Sequence, residues 1–280
     1  MNNPGKGPVR TGVMNVWKLL PVSIAACSLA TADPAWKKEL TSAEPGTYPP
    51  IPASVLDLQL SWKGMVDSGK IRLEFAPKDA NKPGTLVVRS SASSLGPAAG
   101  LFPYQSNFWS ELDPASLKPR LFHAVESDTT ESVTTTTRHF PDRVECREIT
   151  KLLKKGTDVQ KDRIFKFAPV FDIFSAMLHV RSQKLDAGDQ ITLVVHPFGT
   201  PYLLRVKVIG REAHLDRKTI RLSVGMRKID RKSLELLPYK KLKSDATLWL
   251  SDDADRIPVE FRAAVFIGDI RATMTGFHKS

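Results

Sequence analysis

Cysteine is scarce in this sequence, because its 280 residues include only Cys27 and Cys146. If Cys27 is removed with an export signal or acylated, Cys146 remains alone and has no intramolecular partner. Cys146 lies in a strand-like context without a cysteine–histidine signature, which favours a packed small residue over a nucleophile. The sequence therefore excludes an intramolecular disulfide in the mature chain.

Long apolar runs and catalytic patterns are also missing. No stretch approaches the ~20 apolar residues of a membrane-spanning helix. There is no glycine-rich phosphate loop and no Gly-x-Ser-x-Gly elbow. The six histidines do not show the paired spacing of a zinc site. We therefore expect no enzymatic activity, no cofactor and no metal.

The N-terminus is typical of an export signal. Three basic residues and no acid precede Asp33, and an apolar run follows the last of these bases. Ala30-Thr31-Ala32 supplies the small-x-small pattern that signal peptidase accepts, which predicts a signal peptide over residues 1–32. The alternative is a lipoprotein signal that ends before Cys27, with Cys27 as the lipidated residue. Both interpretations predict a protein of the periplasm or associated with the outer membrane.

Basic residues outnumber acidic ones, and the formal net charge is +11. They are densest between Lys228 and Lys243, where a solvated basic loop and contact with an anionic surface are both compatible with the pattern. No zinc-finger, helix-turn-helix or RNP-type pattern accompanies them. Together with export, this argues against nucleic acid as a partner.

Alternation of apolar and polar residues dominates the rest of the chain. Residues 33–52 are rich in proline and predict a linker. Residues 53–280 predict a single β-rich domain of roughly a dozen strands, interrupted by one helix within Phe171–Arg181 that Asp172 caps. The charged segment Lys154–Asp162 predicts a hairpin tip or loop. The predicted fold class is mainly β: a curved antiparallel sheet or half-barrel wrapped around one central helix.

Three motifs carry a resemblance to a known family. They are the segment LWLSDDADRIPV at 248–259, the turn LDAGD at 185–189 that follows the helix, and GRE at 210–212. They resemble the bacterial domain-of-unknown-function family 3108, over about residues 58–277. In the first motif, the residues that we expect to be structural are Trp249, Ser251, Asp252, Asp253, Arg256 and Pro258. This segment is also similar to a hairpin of exported half-barrels that carry lipoproteins or sense envelope stress.

The resemblance implies a non-enzymatic cell-envelope protein that binds an acyl chain or other amphiphile on the concave face of its sheet. The alternative is a structural or assembly protein of the envelope with a filled core and a surface-only role. The expected partners are a lipid or amphiphile and envelope proteins, with membrane contact only through a tether or the surface. The sequence leaves the oligomeric state open.

The candidate ligand-binding residues combine one cation with large apolar side chains. They are Arg181, Trp62, Phe75, Trp109, Phe122, Phe174 and Met177. Arg181 has two interpretations. It caps carbonyls at the helix end and pairs with an acid such as Glu212 or Asp253, or it contacts an anionic headgroup at the mouth of a cavity.

Overall fold

The alternating segments form strands of one antiparallel sheet. The computed structural model describes residues 33–77, 82–239, 242–265 and 268–279. The first eight strands are β1 (Ser54–Trp62), β2 (Val66–Phe75), β3 (Leu86–Ser94), β4 (Gln105–Leu112), β5 (Pro119–Ser127), β6 (Glu131–His139), β7 (Val144–Leu152) and β8 (Thr157–Phe165). The others are β9 (Gln190–Val195), β10 (Tyr202–His214), β11 (Arg217–Ile229), β12 (Leu236–Pro238), β13 (Ala246–Ser251), β14 (Pro258–Val265) and β15 (Gly268–Lys279).

Two α-helices and one 3-10 helix occur in the described residues. The 3-10 helix is Ala35–Glu39, α1 is Gly96–Leu101 and α2 is Ile173–Ser182. Asp172 is the N-cap of α2, as predicted: its carboxylate accepts hydrogen bonds from the Phe174 and Ser175 amides, at 2.9 and 2.7 Å. The Ser175 hydroxyl accepts from the Asp172 amide in return, which satisfies donors at the start of the helix.

The strand order is β8-β7-β6-β5-β4-β3-β2-β1-β15-β14-β13-β11-β10-β9, with β12 beside β11. The pairing of β1 with β15 joins the two halves of the chain, with Leu56 opposite Phe277 and Leu58 opposite Met274. The sheet is curved but not closed, so β8 and β9 are its edges. The predicted fold class, a curved antiparallel sheet around a central helix, is confirmed.

Helix α2 fills the inside of this curve. Eight of its ten residues are buried, as expected for a helix that contacts its surroundings on all sides. Phe174 and Leu178 pack in a cluster with residues of β1 to β5, whereas Ala176 and Val180 pack with residues of β9 to β11 and β13. A third cluster joins Trp36 to the ends of β7 to β11.

The segment Lys154–Asp162, predicted as a hairpin tip or loop, is mostly strand. Only its first residues form the turn, and β8 begins at Thr157. Every residue from Thr157 to Asp162 is exposed, because β8 is an edge strand with solvent around it. Charge on an edge strand opposes pairing with other chains, and this explains why the pattern resembles a loop.

The predicted linker is also different in the structure. Residues 34–52, which we call the strap, pack against the sheet rather than span free solvent. Trp36 is 3% exposed, and its indole donates a hydrogen bond to the Leu234 carbonyl at 2.8 Å. The Tyr48 amide donates to the Ser182 carbonyl at the end of α2, at 3.0 Å. The prolines of the strap therefore belong to a segment that is fixed on the fold, not to a free linker.

None of the helices in the described residues has both the length and the apolar character needed to cross a bilayer.

Candidate functional site: a proline-lined cavity and the end of the central helix

Arg181 lies at the end of α2 and is 3% exposed. Its Nε donates to the Asp255 carbonyl at 2.7 Å and its Nη2 to the Ala254 carbonyl at 3.2 Å, while Nη1 donates to the Pro49 carbonyl. Its guanidinium thus holds the strap and the β13–β14 turn against the helix. The predicted ion pair with Glu212 or Asp253 does not form, because the hydrogen bonds of Arg181 go to backbone carbonyls. Burial lowers the pKa of Arg181, although the nearby charges of Asp255 and Asp253 act to raise it.

Arg256, from the family motif, binds the same helix end from the other side. Its Nη1 donates to the Arg181 carbonyl at 3.1 Å and its Nη2 to the Lys184 carbonyl at 3.0 Å. The last carbonyls of a helix have no partner within the helix, and Arg256 supplies donors for them. The Tyr48 ring lies on the Arg256 guanidinium, with 3.4 Å between Cζ and the ring centroid.

The rest of the motif forms the turn that positions Arg256. The Asp253 carboxylate accepts from the Ser251 hydroxyl at 2.7 Å and from the Arg256 amide at 3.1 Å. Asp252 pairs with Arg211 at 3.1 Å, and Pro258 is the first residue of β14. These contacts are those of an aspartate-stabilised turn.

Trp249 is 5% exposed and sits on the strand that enters this turn. Its indole donates to the Glu212 carboxylate at 2.7 Å and stacks on His214, with ring centroids 4.1 Å apart. Every residue of the motif therefore has a contact within the fold, and a structural role for it remains our interpretation.

Four of the predicted ligand-binding residues lie together on the inner face, but they pack against one another. Phe75, Phe122 and Phe174 are each less than 5% exposed, and Met177 packs against the same cluster. Phe198, from the β9–β10 connection, adds a ring 5.9 Å from that of Phe122. The protein's own side chains therefore fill the centre of the concave face.

Trp62 and Trp109 are not part of this cluster. Trp109 stacks on His123, with centroids 4.0 Å apart, on the face opposite to its neighbour Phe108. Trp62 is 44% exposed in the last position of β1. Trp109 does not line the concave face as predicted, because the alternation of β4 directs it to the other face. Trp62 lies outside the aromatic cluster, and its part in ligand binding stays a prediction.

A cavity of about 530 Å³ opens beside the helix, where segments distant in sequence meet. This volume is within the range of small-molecule sites. Its lining is mainly apolar and includes three prolines: the lining residues are Ala43, Lys118, Pro119, His139, Phe140, Pro141, Ala168, Pro169 and Val170. The charged group is Lys118, which pairs with Glu44 at 2.8 Å. The strap, β5, the β6–β7 turn and the approach to α2 together form this cavity.

His139 gives the cavity wall an unusual chemical feature. Among the described residues, neither of its ring nitrogens has a hydrogen-bond partner, although both are buried. Burial, together with the nearby His196, lowers the pKa of His139 to about 3. Burial likewise lowers the pKa of His196 to about 4, and its Nδ1 also lacks a partner in the described chain. Both imidazoles are therefore neutral near pH 7.

Buried polar atoms without partners are uncommon in folded proteins and call for an explanation. Sequence reasoning missed this cavity, because its lining comes from four separate segments. The prolines at 119, 141 and 169 were visible in the sequence, but they indicate turns as readily as a pocket wall. No group of three or more metal-ligating side chains occurs in the described ranges.

Of the two cysteines, the structure describes only Cys146. Cys27 lies outside the described residues, so its predicted lipidation stays a prediction. Cys146 is 2% exposed, and burial raises the pKa of its thiol. Both features agree with a packed side chain rather than a nucleophile.

A second depression, of about 580 Å³, lies along β1 to β4 and differs in character. Polar side chains dominate its lining, including Asp57 and Arg72, which form an ion pair at 2.9 Å. Both partners of this pair are partly exposed. An apolar ligand therefore fits the proline-lined cavity better.

Comparison with known proteins gives the chain a family. A model of the family described as "Protein of unknown function (DUF3108)" matches residues 57–275. The chain belongs to the DUF3108 family. The matched region contains all of the motif residues and every cavity residue except Ala43. No curated protein matches this chain.

One solved structure similar to this chain is the crystal structure of a β-barrel-like protein of the domain of unknown function DUF1849, from Brucella abortus. It is 9% identical, with a TM-score of 0.49, and the match covers 83% of this chain and 99% of that one. The description of the matching family names no enzymatic activity.

Proposed function

We propose that this protein is a non-enzymatic component of the cell envelope that binds an acyl chain or another small amphiphile. The binding site in this proposal is the proline-lined cavity, not the centre of the concave face, which Phe122 and its neighbours fill. The observation that carries the proposal is an apolar cavity of about 530 Å³ with a single ion pair, Lys118–Glu44, beside it.

The chemistry of the lining supports an amphiphile over a polar solute. Proline rings, Phe140 and Val170 offer apolar contact, which favours a hydrocarbon ligand in proportion to the area buried. Lys118 offers a cation to a headgroup, since its side chain is 42% exposed and can exchange Glu44 for another anion. No carboxylate belongs to the described lining.

The second candidate is an assembly role that uses only the protein surface. The filled inner face favours it, because Phe75, Phe122 and Phe174 leave no central channel for a ligand. The two candidates differ in whether the protein holds a small molecule at all.

Binding of the fluorescent fatty acid 11-(dansylamino)undecanoic acid, measured by its fluorescence, tests the proposal. Ala43→Phe places a ring in the cavity and should weaken probe binding at least ~tenfold, since a filled cavity excludes the chain. The matched control is Ala187→Phe, which adds the same bulk at an exposed turn and should bind like the wild type. Thermal melts of both variants show whether each one folds.

Native mass spectrometry of protein purified from its own host gives a second measurement. A co-purifying lipid that Ala43→Phe loses supports the amphiphile proposal. Clean apo masses together with no probe binding by the wild type contradict it and favour the assembly role.

A further inference from the structure

Large apolar side chains project into solvent at two neighbouring turns. Five of them, which we call the apolar rim, are Trp62, Met65, Val66, Leu101 and Phe102, at 44, 78, 43, 75 and 75% exposure. The first three belong to the β1–β2 connection and the last two to the end of α1. Folded proteins usually keep contiguous exposed apolar surface small, and larger patches mark interaction sites.

Hydrogen bonds join the elements that carry these side chains to their neighbours. The Leu95 amide, at the start of α1, donates to the Ser68 carbonyl of β2 at 3.0 Å. On the other side, the Lys63 amide donates to the Asp269 carbonyl at 2.8 Å, which joins the β1–β2 turn to β15. The Trp62 indole lies so close to Gly268 that a Cβ there would come within 2.4 Å of it.

Lysines accompany the rim. Lys63 follows Trp62, and its Nζ lies 5.6 Å from the centroid of the Trp62 ring. Lys70 is exposed on β2, and Lys243 is fixed beside the β14–β15 turn by a 2.9 Å hydrogen bond from its amide to the Ala264 carbonyl. Asp67 is an exposed acid nearby, and Asp269 pairs with Arg271 at 3.0 Å. Lys63 and Lys70 therefore outnumber Asp67 at the β1–β2 connection, whereas two acids, Glu126 and Asp128, lie beside the end of α1.

We propose that the apolar rim binds the surface of a bilayer that contains anionic lipids. Its side chains project from turns instead of lining a groove. They therefore suit insertion into the headgroup region of a bilayer better than binding of a helix or strand of another protein. Tryptophan has an apolar body and a polar N–H, and lysine carries a long apolar stem, so both suit the boundary between headgroups and acyl chains. Three of the eleven net positive charges lie in the predicted signal peptide, and the +8 that remains for residues 33–280 complements such a surface.

This proposal does not depend on the cavity, because the rim and the cavity share no residue. Flotation with large vesicles tests it, using the full chain at low ionic strength. Vesicles of phosphatidylcholine with phosphatidylglycerol should bind the wild type, and vesicles of phosphatidylcholine alone should bind it at least ~tenfold more weakly. The variant Leu101→Ser/Phe102→Ser should lower binding to the anionic vesicles at least ~tenfold, since two large apolar groups are lost.

The matched control is Leu215→Ser, which removes an apolar side chain that is 50% exposed at the β10–β11 turn. This control variant should bind the vesicles like the wild type. All variants contain residues 1–32, so any contribution of that segment to vesicle binding is the same in each of them. The proposal is overturned if the rim variant binds as well as the wild type, or if Leu215→Ser loses binding equally. It is also overturned if sedimentation shows that the rim joins two copies of the chain in the absence of vesicles.

Discussion

Strands β8 and β9 are the two outermost strands of the same sheet, yet one of nine residues is buried in β8 and five of six in β9. Other parts of the chain cover β9. Phe171 donates its amide to the Val194 carbonyl at 2.9 Å, and the Thr41 amide of the strap donates to the Thr192 carbonyl at 3.0 Å. β8 has no such cover in the described chain, and three of its exposed residues are charged: Asp158, Lys161 and Asp162.

The comparison shows two solutions to one problem. An unpaired strand edge is a template for association with other chains, and it must be either covered or made unattractive. Covering β9 buries apolar surface and so stabilises the fold, whereas charge on β8 maintains separation from other molecules at little cost in folding. We therefore expect mutations near β9 to change stability and mutations on β8 to change self-association.

The two edges approach each other at one place. The ring of Phe165, the last residue of β8, stacks on His196, which directly follows β9, with centroids 6.3 Å apart. Val144 and Phe165 share a hydrophobic cluster with Val194. This contact brings together side chains of the two edges where no strand pairing closes the sheet.

Acid should weaken the fold most strongly at this contact. His139 and His196 have folded-state pKa values of about 3 and about 4, below the ordinary value of 6.5. The unfolded chain then binds more protons, so stability is full above pH 6.5 and falls as the pH drops below it. By pH 4 the loss is on the order of 3 kcal/mol for each imidazole.

Urea unfolding between pH 7.5 and 4 measures this effect. His139→Phe should flatten the pH dependence of the free energy of unfolding, because one titrating group is gone. The control is His278→Phe, at an exposed position, which should keep the wild-type dependence. Equal slopes for the wild type and His139→Phe would show that His139 is solvated.

Phe171→Ala should be the most damaging single substitution at the β9 edge. Phe171 is 1% exposed, and its ring lies 5.0 Å from that of His179. Truncation leaves a cavity and should lower the free energy of unfolding by about 3–4 kcal/mol. The matched change on β8 is Ile164→Ala, at a side chain that is 55% exposed. It should lower the free energy of unfolding by less than ~1 kcal/mol. Similar losses of unfolding free energy for the two variants in urea melts would contradict the expectation that residues near β9 stabilise the fold more than residues of β8 do.

The residues of β9 show the pattern of a strand and those of β8 do not, for a physical reason. β9 is an apolar run from Gln190 to Val195 bounded by turn residues, and burial imposes that pattern on a strand. β8 has no buried face to impose alternation, so its charges resemble those of a loop. The strap was missed similarly, because its buried apolar residues, Trp36 and Ile51, stand far apart among prolines and polar residues. The cavity required the folded chain, since residues 43, 118, 139 and 168 meet only in space.

Thiol reactivity of Cys146 should report whether the edges stay together. Gly199 has a φ of +77°, and a Cβ there would lie 2.5 Å from Arg163 Nη1 and 3.3 Å from Cys146 Sγ. Gly199→Ala should therefore push the β9–β10 connection away from β7 and β8. In a Cys27→Ser background, this should raise the rate of reaction with Ellman's reagent at least ~tenfold, because burial keeps the thiol protonated and covered. Gly156→Ala, where the added Cβ meets nothing within 4 Å, is the control at another positive φ.

The smallest effect on stability should come from the charges on β8 itself. Lys161 has a side chain that is 55% exposed and pairs with Glu148 at 3.4 Å, and an ion pair of this kind contributes little. Lys161→Val should therefore change the free energy of unfolding by less than ~0.5 kcal/mol. The same variant removes a charge from an unpaired edge, so sedimentation velocity should show a dimer that grows with protein concentration. Lys151→Val, on β7, which is paired on both sides, should remain as monodisperse as the wild type. If both variants associate equally, general surface hydrophobicity is responsible, and the charges on β8 do not protect the edge.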